Sequence, residues 1–282
     1  MPWCLKRCPM RCLKGVWFAL LFGTLLAACG VETSQAVEDR YVLPWIRLVP
    51  EKPADMESNQ CLFETYSYYT TYKRSENDLA AFGAIFKMDI GKGWEVRTFG
   101  DLLSWQYPAV GFGDITVGTK WNFLKEAFSA AVALDLQMPT GGVAFREPGF
   151  EPTLSLMASR KAGPFEPSCT LSSTYAAGGA GENYYFSYQL SLGLDYAPTK
   201  HHSIGIFAVG YTPASADDRG PRLSAGANYT FTRNDSNSYS FTLTKGLSER
   251  GQNWTVGLSY DYYFEIPTLF RSKRATPDRN ES

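Results

Sequence analysis

From Tyr184 to Tyr196 the chain alternates without a break. Tyr184, Phe186, Tyr188, Leu190, Leu192, Leu194 and Tyr196 take every second position; Tyr185, Ser187, Gln189, Ser191, Gly193 and Asp195 take those between. A β-strand turns successive side chains to opposite faces, so this segment has one apolar wall and one polar wall. Aromatics stand at both ends of the apolar wall with leucines between them, the pattern of an aromatic girdle flanking a lipid-facing band. A strand of a soluble sandwich also alternates, but it has no reason to place aromatics at both ends. Residues 254–264 repeat the design: Trp254, Val256, Leu258, Tyr260, Tyr262 and Phe264 against Thr255, Gly257, Ser259, Asp261 and Tyr263. Leu190, Leu192, Leu194, Val256 and Leu258 are therefore expected to face lipid. The pattern predicts an all-β fold, a closed antiparallel transmembrane β-barrel of about 12 strands connected up and down.

The strands are expected at 62–73, 79–88, 93–101, 112–123, 127–138, 153–161, 167–176, 184–196, 202–211, 222–232, 238–246 and 253–264. Connections at 89–92, 124–126, 162–166, 197–201 and 233–237 are short. Those at 102–111, 139–152, 177–183, 212–221 and 247–252 are long or rich in glycine. Short periplasmic turns and longer outer loops are the asymmetry of bacterial outer-membrane barrels, and an even strand count leaves both barrel ends in the periplasm. The barrel is expected over 60–264.

The N-terminus agrees with export. Lys6, Arg7, Arg11 and Lys14 precede an apolar stretch, 15–28, too short to span a bilayer with margin, as in a signal peptide over 1–28. Leu26-Ala27-Ala28-Cys29 resembles a bacterial lipobox, which makes Cys29 a lipidation candidate; cleavage after Ser34-Gln35-Ala36 is the alternative. Residues 29–59 carry Pro44, Pro50 and Pro53 and no sustained period, so they read as an extended periplasmic lead-in. The apolar piece 41–46 could instead tuck into the barrel mouth. Residues 265–282 are charged and read as a flexible tail.

Composition excludes other classes. The formal charge is −1, and removing the four leader cations leaves about −5, so there is no footprint for nucleic acid. Cys61 and Cys169 are placed on strands across the barrel from each other, too far for a disulfide. Two cysteines and two histidines outside the leader make no metal site, and no cofactor is expected. The expected partners are outer-membrane lipids, the barrel-assembly machinery and a small solute that the sequence does not name.

Two stretches point to a family. Gly111-Phe112-Gly113-Asp114-Ile115-Thr116-Val117-Gly118-Thr119-Lys120 resembles the G-x-G-D-x-x-x-G-x-K signature of an outer-membrane transporter family named for the MetA (meta-cleavage) pathway of phenol degradation. Leu134-Asp135-Leu136-Gln137-Met138-Pro139-Thr140-Gly141 is similar to its L-x-L-x-x-P-T-G strand end. Residues 63–68 and 253–264 resemble its opening and closing strands. The resemblance implies a closed barrel acting as a passive channel, with aromatic or other hydrophobic compounds as a solute class.

Strand parity also assigns the lumen. With Ile115, Val117, Thr119 and Trp121 facing lipid, Asp114 and Lys120 point inward, and the same parity turns Glu64, Glu95, Arg97, Asp135, Gln189, Asp195 and Asp261 inward. A cation at mid-depth on the lipid face would cost roughly 2–4 kcal/mol, so the lumen is the cheaper home. One reading is an acidic channel wall that favours cations or neutral polar solutes. The other is that cations and carboxylates, Asp114 and Lys120 among them, pair across a narrow lumen and rigidify it. The loop starting at Pro139 either folds inward as a constriction or is a stiff turn. Function then divides between a channel and a structural or adhesive barrel with a closed lumen. A lipid hydrolase is a third class, but adjacent His202 and Ser203 point to opposite faces of a strand and lack an orienting partner. The expectation is a protein that is not an enzyme.

Overall fold

The computed structural model describes residues 51–52, 60–73, 78–125, 128–177, 184–212, 222–248 and 252–265. The expected signal peptide, Cys29, most of the expected lead-in and all of the expected tail beyond Glu265 lie outside the described residues. Thirteen strands run in chain order: β1 (Gln60–Tyr72), β2 (Leu79–Gly91), β3 (Trp94–Gln106), β4 (Ala109–Gly111), β5 (Ile115–Lys125), β6 (Phe128–Met138), β7 (Glu151–Arg160), β8 (Phe165–Ala176), β9 (Tyr185–Thr199), β10 (His202–Tyr211), β11 (Arg222–Asn234), β12 (Asn237–Gly246) and β13 (Gln252–Glu265). All pairings are antiparallel. The sheet closes because β1 pairs with β13 as well as with β2, from Gln60 opposite Glu265 to Tyr72 opposite Gln252. Twelve strands make the wall; β4 only extends the outer arm of β3.

The expected twelve strands are all present, and the largest difference lies at the end of β3. The parity pattern ends that strand at Asp101, whereas it runs to Gln106 and turns back through β4. The cause is a bulge: Phe82 pairs with Leu103 and Gly83 with Asp101, so Leu102 has no partner opposite. An extra residue reverses the inward and outward order beyond it. Asp101 and Ser104 thus both face inward while Leu102 and Trp105 face out.

Local chemistry sets the short turns. Lys92 and Gly93, with φ of 54° and 82°, connect β2 to β3 in a two-residue hairpin. Positive φ at both positions is the geometry that matches the twist of paired strands. Asp89 accepts the Gly91 N–H at 2.7 Å and fixes the entry to the turn.

The exterior is apolar and banded. Leu190, Leu192, Leu194, Val256 and Leu258 lie exposed on the outer face, with Leu154, Leu156, Ile204 and Ile206 on neighbouring strands. Aromatic pairs ring the short-turn end: Trp94 with Trp121, Phe165 with Tyr196, Tyr239 with Tyr260 and Tyr262 with Phe264. Tyr175 packs on Tyr184 and Phe186 at the other end. In water such a surface would aggregate; against hydrocarbon it needs no cover.

Inside, the order of burial is inverted relative to a soluble protein: polar side chains are buried and apolar ones exposed. Hydroxyls pair across strands, as Thr70 with Thr255 at 2.9 Å, Thr153 with Thr174 at 2.8 Å and Ser155 with Ser172 at 2.9 Å. Each pair satisfies two groups that would otherwise lack partners. Small apolar patches interrupt this lining, one of Tyr66, Ile85 and Phe99, one of Ala131, Ala133 and Met157, and one of Phe207, Val209 and Tyr211. Cys61 and Cys169 are free thiols.

Candidate functional site

The site begins with a row of three residues across three strands. Arg97 on β3 stands opposite Gly118 on β5, and Gly118 stands opposite Asp135 on β6. A Cβ at Gly118 would collide with the Asp135 carboxylate. The bare glycine lets Arg97 and Asp135 meet across it, Nε to Oδ1 at 2.7 Å and Nη2 to Oδ2 at 2.5 Å. This is the two-pronged geometry that makes arginine–carboxylate pairs strong and directional. Tyr66, Gly83 and Asp101 repeat the arrangement across β1, β2 and β3, with the Tyr66 hydroxyl donating to Asp101 at 2.9 Å.

The third prong of Arg97 reaches a residue outside the wall. Its Nη1 donates to Glu51 Oε1 at 2.5 Å, and Lys120 Nζ lies 3.3 Å from the same oxygen. Lys87 Nζ stands 3.9 Å from it, and Lys120 also pairs with Glu95 Oε2 at 3.1 Å. Among the described residues three cations, Lys87, Arg97 and Lys120, thus meet three carboxylates, Glu51, Glu95 and Asp135. Charges as buried as these are tolerated because they compensate one another. The backbone of the same segment is held too, since Thr170 Oγ1 donates to the Glu51 carbonyl at 3.1 Å. Lys52 pairs with Glu166 at 2.9 Å and Asp195 at 3.1 Å. Burial works against the Lys52 charge, but Asp195 and Glu166 outweigh it and hold its pKa above the ordinary lysine value.

Beside this network is a chamber of about 110 Å³. Thr116, Gln137, Glu151, Thr153, Ser155, Thr170, Ser172, Thr174, Ser187, Gln189 and Ser191 line it together with Phe99, Met157 and Tyr211, and Glu51, Arg97 and Asp135 form part of its wall. That volume holds several waters, and its lining offers each more than one partner.

Asp114 belongs elsewhere than beside Lys120. Its Oδ1 accepts the Gly141 N–H at 2.7 Å, and its Oδ2 accepts the Glu147 N–H at 2.8 Å and the Gln137 amide at 3.2 Å. Six residues separate Asp114 from Lys120, roughly 20 Å along an extended chain, which is why the two do not pair. Asp114 instead draws the 139–150 loop over the inward face of the barrel, and Gly142 donates to the Phe112 carbonyl at 2.8 Å. Of the remaining inward candidates, Gln189 donates to Ser191 at 3.1 Å beside the chamber and Asp261 accepts the Ser238 hydroxyl at 2.7 Å. Glu64 stands opposite Asp261 in register. His202 and Ser203 diverge: His202 sits outside, 2.7 Å from the Tyr229 hydroxyl and stacked among aromatics.

A family model described as "Putative MetA-pathway of phenol degradation" matches residues 62–264. The chain belongs to this family. The fold is similar to that of an outer-membrane channel from Pseudomonas putida F1, with a TM-score of 0.63 at 14% identity over 76% of this chain and 100% of that one. It is also similar to the KdgM porin solved in complex with disordered oligogalacturonate, with a TM-score of 0.51 at 11% identity over 72% of this chain and 99% of that one. No curated protein matches the sequence. The barrel is a bacterial outer-membrane protein, so its short-turn end is the periplasmic one.

In this member of the phenol-degradation family the two sequence motifs close on each other. Gly118 faces Asp135, Asp114 binds Gly141, and the Ile115 N–H donates to Thr140 Oγ1 at 2.9 Å. Sequence reasoning missed Glu51, Lys52, Lys87, Asp101, Glu151 and Glu166. Lys87 and Asp101 follow the inward parity of their strands and were legible there. Glu151 and Glu166 stand at strand starts that the sequence assigns to connections. Glu51 and Lys52 carry no strand parity at all.

Proposed function

We propose that the protein is a passive channel of the outer membrane for small solutes and not an enzyme. The observation that carries this reading is the chamber inside a closed barrel, lined by hydroxyls and amides with Phe99, Met157 and Tyr211 set among them. A lining of that mixed kind suits a compact solute with both an apolar body and polar groups. The family's description, which names a pathway of phenol degradation, favours aromatic or other hydrophobic compounds as the solute class. Against an enzyme stands the placement of His202 in the outer aromatic ring, away from Ser203. Export through a signal peptide, assembly by the barrel-assembly machinery and acylation of Cys29 belong to the same proposal, and the intact mass of the mature protein tests the last. Purified protein in planar bilayers should give discrete conductance steps.

The closed-lumen barrel is the second reading, and the ion network joining Glu51 to β2, β3 and β5 favours it. Folded protein that never conducts would select that reading over the channel.

A further inference from the structure

We propose that Glu151 anchors a binding site for the ammonium group of a small solute held in the chamber. The inference deepens the channel reading and rests on it, because a solute must reach the lumen to bind there. Strand register builds the site. Phe99 on β3 stands opposite Thr116 on β5, Thr116 opposite Gln137 on β6, and Gln137 opposite Glu151 on β7. All four side chains line the chamber. They form the row next to Arg97, Gly118 and Asp135, two residues further along each strand toward the outer loops. Glu151 is 5% exposed, and its Oε1 accepts the Ala177 N–H at 2.8 Å. Among the described residues its Oε2 has no hydrogen bond, and no ion pair reaches the carboxylate. A carboxylate buried this far stays charged only where a cation compensates it, and here the solute supplies that cation.

The surroundings of Glu151 are acceptors as well. Gln137 donates its amide to Asp114 at 3.2 Å and Gln189 donates its own to Ser191 at 3.1 Å, which leaves two amide carbonyls as acceptors in the chamber wall. An ammonium group has three N–H donors and no acceptor, so it matches such a set where a carboxylate does not. Asp114, one inward position beyond Thr116, adds negative charge while its oxygens are held by the Gly141 and Glu147 N–H groups. Arg97 enters the chamber wall from the inner row, paired with Asp135 at 2.7 Å. That placement turns the charged end of the solute outward, toward Glu151. Phe99, Met157 and Tyr211 supply apolar surface for the rest of it. The chamber of about 110 Å³ is smaller than the cavity of about 150 Å³ that accepts benzene, so the body that fits is a short aliphatic chain.

Calorimetry on the purified full-length protein in detergent tests the proposal with three probes of similar size: n-butylammonium, 1-butanol and butyrate. At about pH 8 the amine, like a lysine side chain, carries its charge. The wild type should bind butylammonium about tenfold more tightly than butanol, and butyrate more weakly than either. Glu151→Gln keeps the shape and the bond from Ala177 but removes the charge. It should lose about tenfold in butylammonium affinity, the difference between a charge-assisted and a neutral hydrogen bond, and bind butanol as before. Asp261→Asn removes a lumen carboxylate outside the chamber and should bind butylammonium as the wild type does. Heat-modifiable gel mobility checks that each variant is folded. Equal binding of the three probes by the wild type would overturn the proposal whether or not a variant folds. So would a butylammonium affinity that Glu151→Gln leaves unchanged, or that Asp261→Asn lowers as much. Bilayer conductance is read separately: butylammonium binding without conductance refutes the channel and retains the site, and conductance without that binding does the reverse.

Discussion

Gly118 has no side chain because Arg97 and Asp135 need the space above it. Gly118→Ala should push the Asp135 carboxylate away, and separating a buried pair costs about 3–5 kcal/mol. Gly210 is the control, since a Cβ there meets nothing nearer than 3.7 Å. The temperature at which heat-modifiable mobility is lost should fall for Gly118→Ala and stay near that of wild type for Gly210→Ala. Arg97→Gln and Asp135→Asn should each destabilise on their own, and the double variant should lose less than the two combined, because each single change leaves a charge uncompensated. Parity in the sequence was enough to turn Arg97, Gly118, Lys120 and Asp135 inward. Their partners were not legible, because pairing depends on the register between strands, and alternation along one strand carries no register. Asp114 illustrates the difference: its inward direction follows from parity, but its three bonds go to residues 137, 141 and 147.

At the scale of strands, legibility depended on unbroken alternation. β9 alternates from Phe186 to Tyr196 and β13 from Trp254 to Leu258, and the facing of both follows from the sequence, although β9 runs on to Thr199 through residues that the sequence assigns to a connection. β3 loses its parity at Leu102, and the hairpin it makes with β4 was hidden behind that one residue. The facing of β9 is open to a direct test. Leu192 is 50% exposed on the lipid side and Ser191 is 1% exposed on the chamber side. Leu192→Arg should reduce the yield of folded barrel in the outer membrane more than Ser191→Arg does. A mid-depth cation in lipid costs roughly 2–4 kcal/mol, whereas an arginine at 191 can extend into the chamber beside Glu51. Comparable yields from the two variants would contradict this facing. The 139–150 loop offers a second test, as Asp114 holds it through the N–H groups of Gly141 and Glu147. Asp114→Asn weakens charge-assisted bonds to neutral ones, so trypsin should cleave more rapidly after the exposed Arg146.

For the whole molecule the decisive feature is the meeting of the barrel wall with a segment that belongs to no strand. The wall could be inferred from alternation, but the contribution of Glu51 could not, because a proline-rich stretch has no period to read. Its carboxylate changes the expected electrostatics: among the described residues Glu51, Glu95 and Asp135 meet Lys87, Arg97 and Lys120 at one level of the lumen. An acidic filter at Asp135 would make Asp135→Asn simply less selective for cations. A paired network predicts more than that, since removing the Asp135 charge leaves Arg97 without its two-pronged carboxylate partner and adds positive charge facing the chamber. Reversal potentials in asymmetric salt should then move toward anion preference. The shift should be largest at low salt, where the screening length is about 30 Å at 0.01 M, and nearly vanish at 1 M, where it is about 3 Å. Asp114→Asn should leave the reversal potential close to that of wild type, because its carboxylate lies by the outer loop and away from this level. A cation preference that falls equally in both variants would restore the acidic-wall account.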